Sequence, residues 1–363
     1  MLGAFGFRST KWKRLSLNTN VTAIQHPPFD EISPISWYSS VREEDRGSLI
    51  GNIAPNSKDK TLASDSDREK SKLNSHSTTS TKVAESLRPR QRALLVGVTY
   101  KNCRYKLKGT TNDVKNMRNF LIDSFSFNPQ NILVLTEDET EPDLIPTKKN
   151  ILISLKWLVK DCRAGDSLVF YYSGHGLRQP DFDSYNDGFD ETICPVDFLT
   201  EGMILDYDIN SAIVRPLPKD VTLHAIVDAC YCGTILDLPY VYDRQTKAWE
   251  DNYAPSGARK QTNGGLAISI CRCVDDQMLA DTSAFNTKAM NGVMTYNLID
   301  INLRYPGVTY GDMLDLMHGS IEEANQNGCL TSRLLRTSCQ KPIPKPVLSS
   351  SETFDVYGKN FIL

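Results

Sequence analysis

The stretch VTLHAIVDACYCGTILD, residues 221–237, starts as an apolar run and ends in a loop offering two thiols and two carboxylates. A run of this kind, ending abruptly in polar residues, is the mark of a strand covered on both faces. Cys230 stands where that strand runs out, behind Asp228. One interpretation makes Cys230 a small buried hydrophobe and Asp228 a strand-end cap. The other makes Cys230 a nucleophile at the rim of a sheet.

The neighbouring segments decide what sheet this is. RALLVGVTY (92–100), NILVLTED (131–138), DSLVFYYSGHG (166–176) and GGLAISICR (264–272) read as further strands. Between and after them, NDVKNMRNFLIDSF (112–125), TKKNILISLKWLVKDC (147–162), MTYNLIDINLR (294–304) and TYGDMLDLMHGSIEEANQ (309–326) carry apolar residues at helical spacing. Thr147 is placed to cap the second of these helices. ETFDVYGKNFIL (352–363) could supply a last edge strand. Strands alternating with helices of this length require βαβ units, hence an α/β fold with a mostly parallel sheet and helices on both faces. In such sheets function collects at the carboxyl ends of the strands, where SGHG and DAC both fall.

Upstream the chain changes character. Residues 54–91 contain almost no large apolar side chains and many Ser, Lys and Asp, so they cannot offset their ordering entropy. With the mixed residues 1–53 they form an N-terminal extension and disordered linker over 1–91, and the folded domain spans 92–363.

Bulk composition narrows the functional classes. The 363 residues are 40% apolar and 23% charged with net charge -3, which suits a soluble globular protein and gives no electrostatic case for nucleic acid as a partner. No run of about 18 apolar residues suggests a membrane span. The nine cysteines all lie beyond residue 100 and include no CxxC pair, so a disulfide framework or zinc site is not expected. A reducing compartment follows, cytoplasmic or nuclear. The basic, Ser/Thr-containing start MLGAFGFRSTKWKRLSLNTN is faintly transit-peptide-like, although a solvated tail explains it equally well.

A thiol attacks as thiolate and needs a base beside it. Of five histidines, only His175 ends an apolar strand between two glycines, Gly174 and Gly176, which permit a sharp turn and close substrate approach. Two strands ending in His and Cys on one sheet rim favour nucleophilic catalysis over two unrelated structural side chains.

The motifs YYSGHG (171–176), DGFDETICPVDF (187–198), DACYCGTILDLPY (228–240) and SSETFDVYGKNFIL (350–363) together resemble those of plant type I metacaspases, clan CD cysteine peptidases with a caspase-like fold. The resemblance spans roughly residues 92–363 and divides them into a large-subunit-like part (92–240), a linker loop (241–264) and a small-subunit-like part (265–363). It implies calcium-dependent hydrolysis of peptide bonds after Arg or Lys in protein or peptide substrates. Cys230 would then be the nucleophile and His175 the general base and acid, with the backbone N–H groups of Gly176 and Cys230 forming the oxyanion hole. Asp113, Asp228 and Ser173 would hold the basic side chain, two carboxylates being what a guanidinium pairs with. Asp113 could instead cap the helix opened by GTTNDV. Asp190, Asp206 and Asp237 would supply oxygen ligands to calcium, where the bland alternative is a solvated acidic loop. Arg259, Lys260 and Arg244, in a segment expected to be an exposed loop, would be self-cleavage sites.

The chain departs from the family pattern at several points. Tyr231-Cys232 stands where the family has His-Ser, Thr110 where it has a pocket cysteine, and Tyr207 where a second aspartate is usual. No cysteine precedes residue 103, so the N-terminal zinc finger of many plant members is not expected. These departures keep open a catalytically weak scaffold or regulator in cell-death or stress pathways. A nucleotide-binding enzyme is disfavoured, because no GxGxxG or GxxxxGK[ST] follows a strand.

Overall fold

The computed structural model describes residues 89–103, 105–180, 189–253, 260–273, 292–334 and 345–363. The expected extension lies, but for its last three residues, outside them.

The elements in chain order begin with β1 (Gln91–Gly97), α1 (Thr110–Phe125), β2 (Ile132–Thr136), α2 (Lys148–Val159) and β3 (Ser167–Ser173). Next come β4 (Gly176–Pro180), β5 (Phe189–Ile193), α3 (Phe198–Glu201), β6 (Ile204–Leu205) and α4 (Asp206–Ile209). The chain closes with β7 (Thr222–Asp228), β8 (Tyr240–Asp243), β9 (Ala248–Asp251), β10 (Leu266–Cys273), α5 (Val293–Arg304), α6 (Tyr310–Leu334) and β11 (Lys345–Ser350). One sheet has the order β2-β1-β3-β7-β10-β11-β8-β9, and β4-β5-β6 form a small second sheet. From β2 through β10 neighbouring strands run parallel, and from β10 onward they pair antiparallel.

Alternation along each parallel strand builds two cores. Leu94 and Val96 of β1 pack with Phe170 and Tyr172 of β3 and with Ile151, Leu155 and Leu158 of α2. Ala93 and Leu95 face the other way, toward Val114, Met117 and Leu121 of α1 and toward Met294, Leu298 and Met317 of α5 and α6. Both faces of the strand are apolar because both are covered. The expected α/β architecture is therefore present. α2 starts where Thr147 Oγ1 accepts from the Asn150 N–H at 3.3 Å, the anticipated cap. Among the described residues no helix is long and apolar enough to cross a membrane.

The periphery differs from expectation in two places. The last strand is β11, inserted between β10 and β8, while 352–363 form turns that meet the start of α6 through an isolated bridge between Thr309 and Asn360. Beyond Asp355 the chain turns back on itself, the N–H groups of Gly358 and Lys359 both donating to the Asp355 carbonyl, which a strand cannot do. The expected exposed loop over 241–264 contains the hairpin β8-β9 at the sheet edge, with Trp249 Nε1 donating to the Phe354 carbonyl at 2.8 Å. Aromatic residues Tyr242 and Trp249, 5.3 Å apart, give that hairpin a face to bury.

Candidate active site

Ser173 of β3 lies opposite Asp228 of β7 in the parallel register, so the segments beyond them, with His175 and Cys230, leave the sheet side by side. Gly176 presses on the Cys230 backbone so closely that a Cβ there would stand 2.0 Å from the Cys230 carbonyl oxygen. This brings together the two residues whose N–H groups were expected to form an oxyanion hole. Gly174 is glycine for a similar reason, since its Cβ would meet the Tyr172 hydroxyl at 2.4 Å.

His175 is held from several sides. Its Nε2 lies 2.8 Å from the Tyr105 carbonyl oxygen. A carbonyl only accepts, so the proton sits on Nε2 and Nδ1 is left as the base. The His175 backbone N–H donates to the Tyr100 hydroxyl at 3.0 Å, and that hydroxyl donates to the Cys194 carbonyl at 2.6 Å. The Tyr100 ring is 4.8 Å from the imidazole. Glu137, at the end of β2, fixes the loop carrying both tyrosines by accepting from the N–H groups of Thr99, Tyr100 and Lys101. Burial lowers the His175 pKa, opposed by the Tyr105 bond. The imidazole is thereby neutral and able to take a proton near neutral pH.

Asp113, Ser173 and Asp228 converge beneath this rim. Gly97 permits it, because a Cβ there would meet Val114 Cγ2 at 2.7 Å and push the start of α1 off the strand. Asp113 Oδ2 accepts from Ser173 Oγ at 3.2 Å and Oδ1 from the Gly292 N–H at 2.7 Å. Asp228 Oδ2 accepts from the Thr295 N–H at 3.2 Å and from Thr295 Oγ1 at 3.0 Å. A Cβ on Gly292 would lie 2.2 Å from Asp228 Oδ2 and 3.0 Å from Asp113 Oδ2, so both carboxylates close on one point. Asp113 is thus in the first turn of α1 without capping it; Gly109 holds the cap position.

Two thiols follow with different fates. Burial pushes the Cys230 thiol up, and the neighbouring Arg272 guanidinium draws it back down. Cys232 is fully buried and points at three carbonyls, those of Arg272 at 2.9 Å, Ala229 at 3.1 Å and Val227 at 3.4 Å. It ties the loop to β10. Tyr231 between them takes φ +49°, which turns successive side chains in different directions, and its ring lies 5.3 Å from the Arg178 guanidinium.

The acidic residues come from β5 (Asp190), the start of α4 (Asp206) and the segment after Cys232 (Asp237). Asp206 is pushed up to about 8, chiefly by burial and then by the charges of Asp237 and Asp190. Its Oδ2 accepts from the Glu191 N–H at 3.1 Å, and Glu191 in turn accepts from the Thr234 N–H at 2.6 Å. Asp190 Oδ2 accepts from Gln179 at 3.3 Å. Asp237 Oδ1 pairs with Lys260 Nζ at 2.7 Å. Three hard oxygen donors, two of which raise the pKa of the third, Asp206, suit a divalent cation chemically. Among the described residues, however, no three His, Cys, Asp or Glu side chains converge closely enough to grip a metal.

The metacaspase peptidase C14 domain model matches residues 91–239. Metacaspase-1 of Arabidopsis thaliana is 46% identical over 290 residues, covering 76% of this chain and 79% of that one. The chain is a metacaspase. Metacaspase-3 of the same plant is 43% identical over 283 residues, 76% of each chain. Among solved structures, pro-sf-caspase-1 superposes with TM-score 0.38 at 10% identity, over 76% of this chain and 95% of that one. That likeness is too weak to add to the family match. The metacaspase is a cysteine-type endopeptidase by family.

Within this metacaspase, the self-cleavage expectations fare unevenly. Lys260 is buried, with Nζ also donating to the Asn252 carbonyl at 2.7 Å, so it is no exposed cleavage residue in this conformation. Its ammonium finds Asp237 and a carbonyl, which outweighs solvation in an open loop. Arg244 pairs with Asp315 of α6. Arg259 lies outside the described residues. Four participants escaped sequence reasoning: Tyr100, Tyr105, Thr295 and Arg272. Thr295 and Arg272 sit on elements read as plain helix and strand, and a backbone carbonyl such as that of Tyr105 leaves no trace in residue type.

Proposed function

We propose that this metacaspase cleaves peptide bonds after Arg or Lys, with Cys230 as nucleophile, His175 as general base and acid, and calcium as activator. The observation that carries it is the convergence of Asp113, Ser173 and Asp228 at the strand ends that bear Cys230 and His175. His175 Nδ1 takes the Cys230 proton as sulfur attacks the carbonyl carbon. Because burial favours the uncharged thiol, transfer accompanies attack. The N–H groups of Gly176 and Cys230 receive the oxyanion, each such donor commonly worth about 10²–10³ in rate. The carbon–nitrogen bond breaks as His175 returns the proton to the leaving amine. Water, deprotonated by His175, then releases the acid from the thioester and Cys230 regains its proton. Asp190, Asp206 and Asp237 would have to draw closer together to hold calcium, which when bound would supply the positive charge that the repulsion on Asp206 calls for.

The test is hydrolysis of a fluorogenic Arg peptide with and without calcium, comparing wild type and Cys230→Ala. Cleavage that persists in Cys230→Ala, or that ignores calcium and basic side chains, removes the proposal. A scaffold or regulator with weak catalysis is the second reading. It is favoured by one observation: Asp113, Ser173 and Asp228 are all buried and already engaged with the protein's own groups.

A further inference from the structure

Arg272, on β10, is 1% exposed. Its Nε lies 3.5 Å from Asp228 Oδ1, and Asp228 is 0% exposed. Among the described residues neither that oxygen nor any of the three guanidinium nitrogens has a nitrogen or oxygen hydrogen-bond partner, and the Cys230 thiol lies beside the guanidinium. A guanidinium removed from water with most of its five N–H donors unused is costly, and natural structures keep such groups where they serve a purpose. The other carboxylate oxygens of the cluster are engaged. Asp113 holds Gly292 and Ser173, and Asp228 Oδ2 holds Thr295 twice. Asp228 Oδ1 is the one oxygen left for an incoming cation, and a cation of the protein's own stands before it.

We propose that Arg272 is a specificity-determining residue that fills, from within, the place of the substrate's basic side chain at Asp228. This deepens the proposed function and rests on Asp113 and Asp228 being a receptor for Arg or Lys. An entering basic side chain must push Arg272 aside or share Asp228 with it. Repulsion between two cations in a desolvated pocket penalises Arg and Lys while leaving neutral side chains untouched. The ratio of basic to neutral cleavage is therefore held down by Arg272. The guanidinium also lies beside the Cys230 thiol. A ratio of two substrates cancels any effect on sulfur reactivity, because the thiol is common to both.

Binding is measured by calorimetry with n-butylguanidinium as probe, in full-length protein carrying Cys230→Ala. Adding Arg272→Ala should tighten binding about tenfold or more, equivalent to about 1.4 kcal/mol, and adding Asp228→Asn should abolish the gain. In the enzyme with Cys230 intact, Arg272→Ala should raise the Arg-to-neutral ratio of kcat/KM by a similar factor. Thermal melts establish folding, and Arg272→Met, which keeps length without charge, replaces Arg272→Ala if the latter does not fold. With Arg272 present, the probe should leave the melting temperature unmoved. Equal binding with and without Arg272 overturns this inference while leaving the basic pocket standing. Binding in none of the variants removes the pocket itself, and the inference with it.

Discussion

His175 has its tautomer set by a backbone carbonyl, that of Tyr105, so the proposed general base depends on a loop with no proposed catalytic side chain of its own. His175→Ala and Cys230→Ala should each reduce Arg-peptide hydrolysis to background. Cys232→Ala should retain most of it while lowering the unfolding free energy by about 1–2 kcal/mol, since it loses thiol contacts to three carbonyls. Titration of active sites with a thiol-reactive inhibitor, alongside denaturant melts, separates the two outcomes. Equal loss of activity in a folded Cys232→Ala protein would sink the assignment of Cys230. Replacing Asp113 or Asp228 by Asn should lower the Arg-to-neutral ratio of kcat/KM by a few kcal/mol of transition-state binding, roughly 2–3. An unchanged ratio in both would make them purely structural carboxylates.

The strand ends act as elements through backbone contact. Gly176→Ala places a methyl group against the Cys230 and Thr192 carbonyls, 2.0 and 3.1 Å away, and neither is a flexible side chain that can yield. The start of β4 must move, and displacement of a catalytic constellation by about 1 Å commonly costs some 10²-fold. Gly176→Ala should show that loss in kcat with the melting profile largely kept. β7 carries a second, structural histidine. His224 lies under Tyr310, at the start of α6, with near-parallel rings 6.1 Å apart, and burial lowers its pKa from 6.5 to about 3. Unfolded, it takes a proton below pH 6.5; folded, it refuses one until about 3. The unfolded state therefore binds more protons in that window, and stability falls as pH falls through it, by up to about 1.4 kcal/mol per unit. Urea melts at pH 6.5 and 4.5 should lose roughly 2 kcal/mol more in wild type than in His224→Leu. Parallel profiles would show that His224 is protonated in the folded state.

Across the whole molecule, the acidic cluster and the 241–264 segment are joined by the Lys260–Asp237 pair. A calcium ion drawing on Asp237 competes with that ammonium, so metal binding and release of Lys260 are linked. With chelator present, trypsin should cut after Lys247, exposed in the β8-β9 turn, well before Lys260. Calcium should shorten that delay, and mass spectrometry of timed digests reads it directly. Lys260 cleavage at the same rate in both conditions would disconnect the two features. Self-cleavage, if it uses this segment, should appear on calcium addition and be absent from Cys230→Ala.

The parallel sheet and its two helical layers were legible in the sequence, because strands covered on both faces must be apolar throughout and helices between them must show their own period. The position of His175 and Cys230 at strand ends was legible too, since both are polar residues placed where apolar runs end beside glycine or aspartate. The edge hairpin β8-β9 and the placement of β11 were not, since short edge strands carry little periodic signal. Nor could residue order bring Arg272 to Asp228, Thr295 to the same carboxylate, Lys260 to Asp237 or the Tyr105 carbonyl to His175. Pattern along a chain reports which groups avoid water. Which charged group meets which inside the fold depends on strand order and loop path, and these are decided by packing between segments distant in the chain.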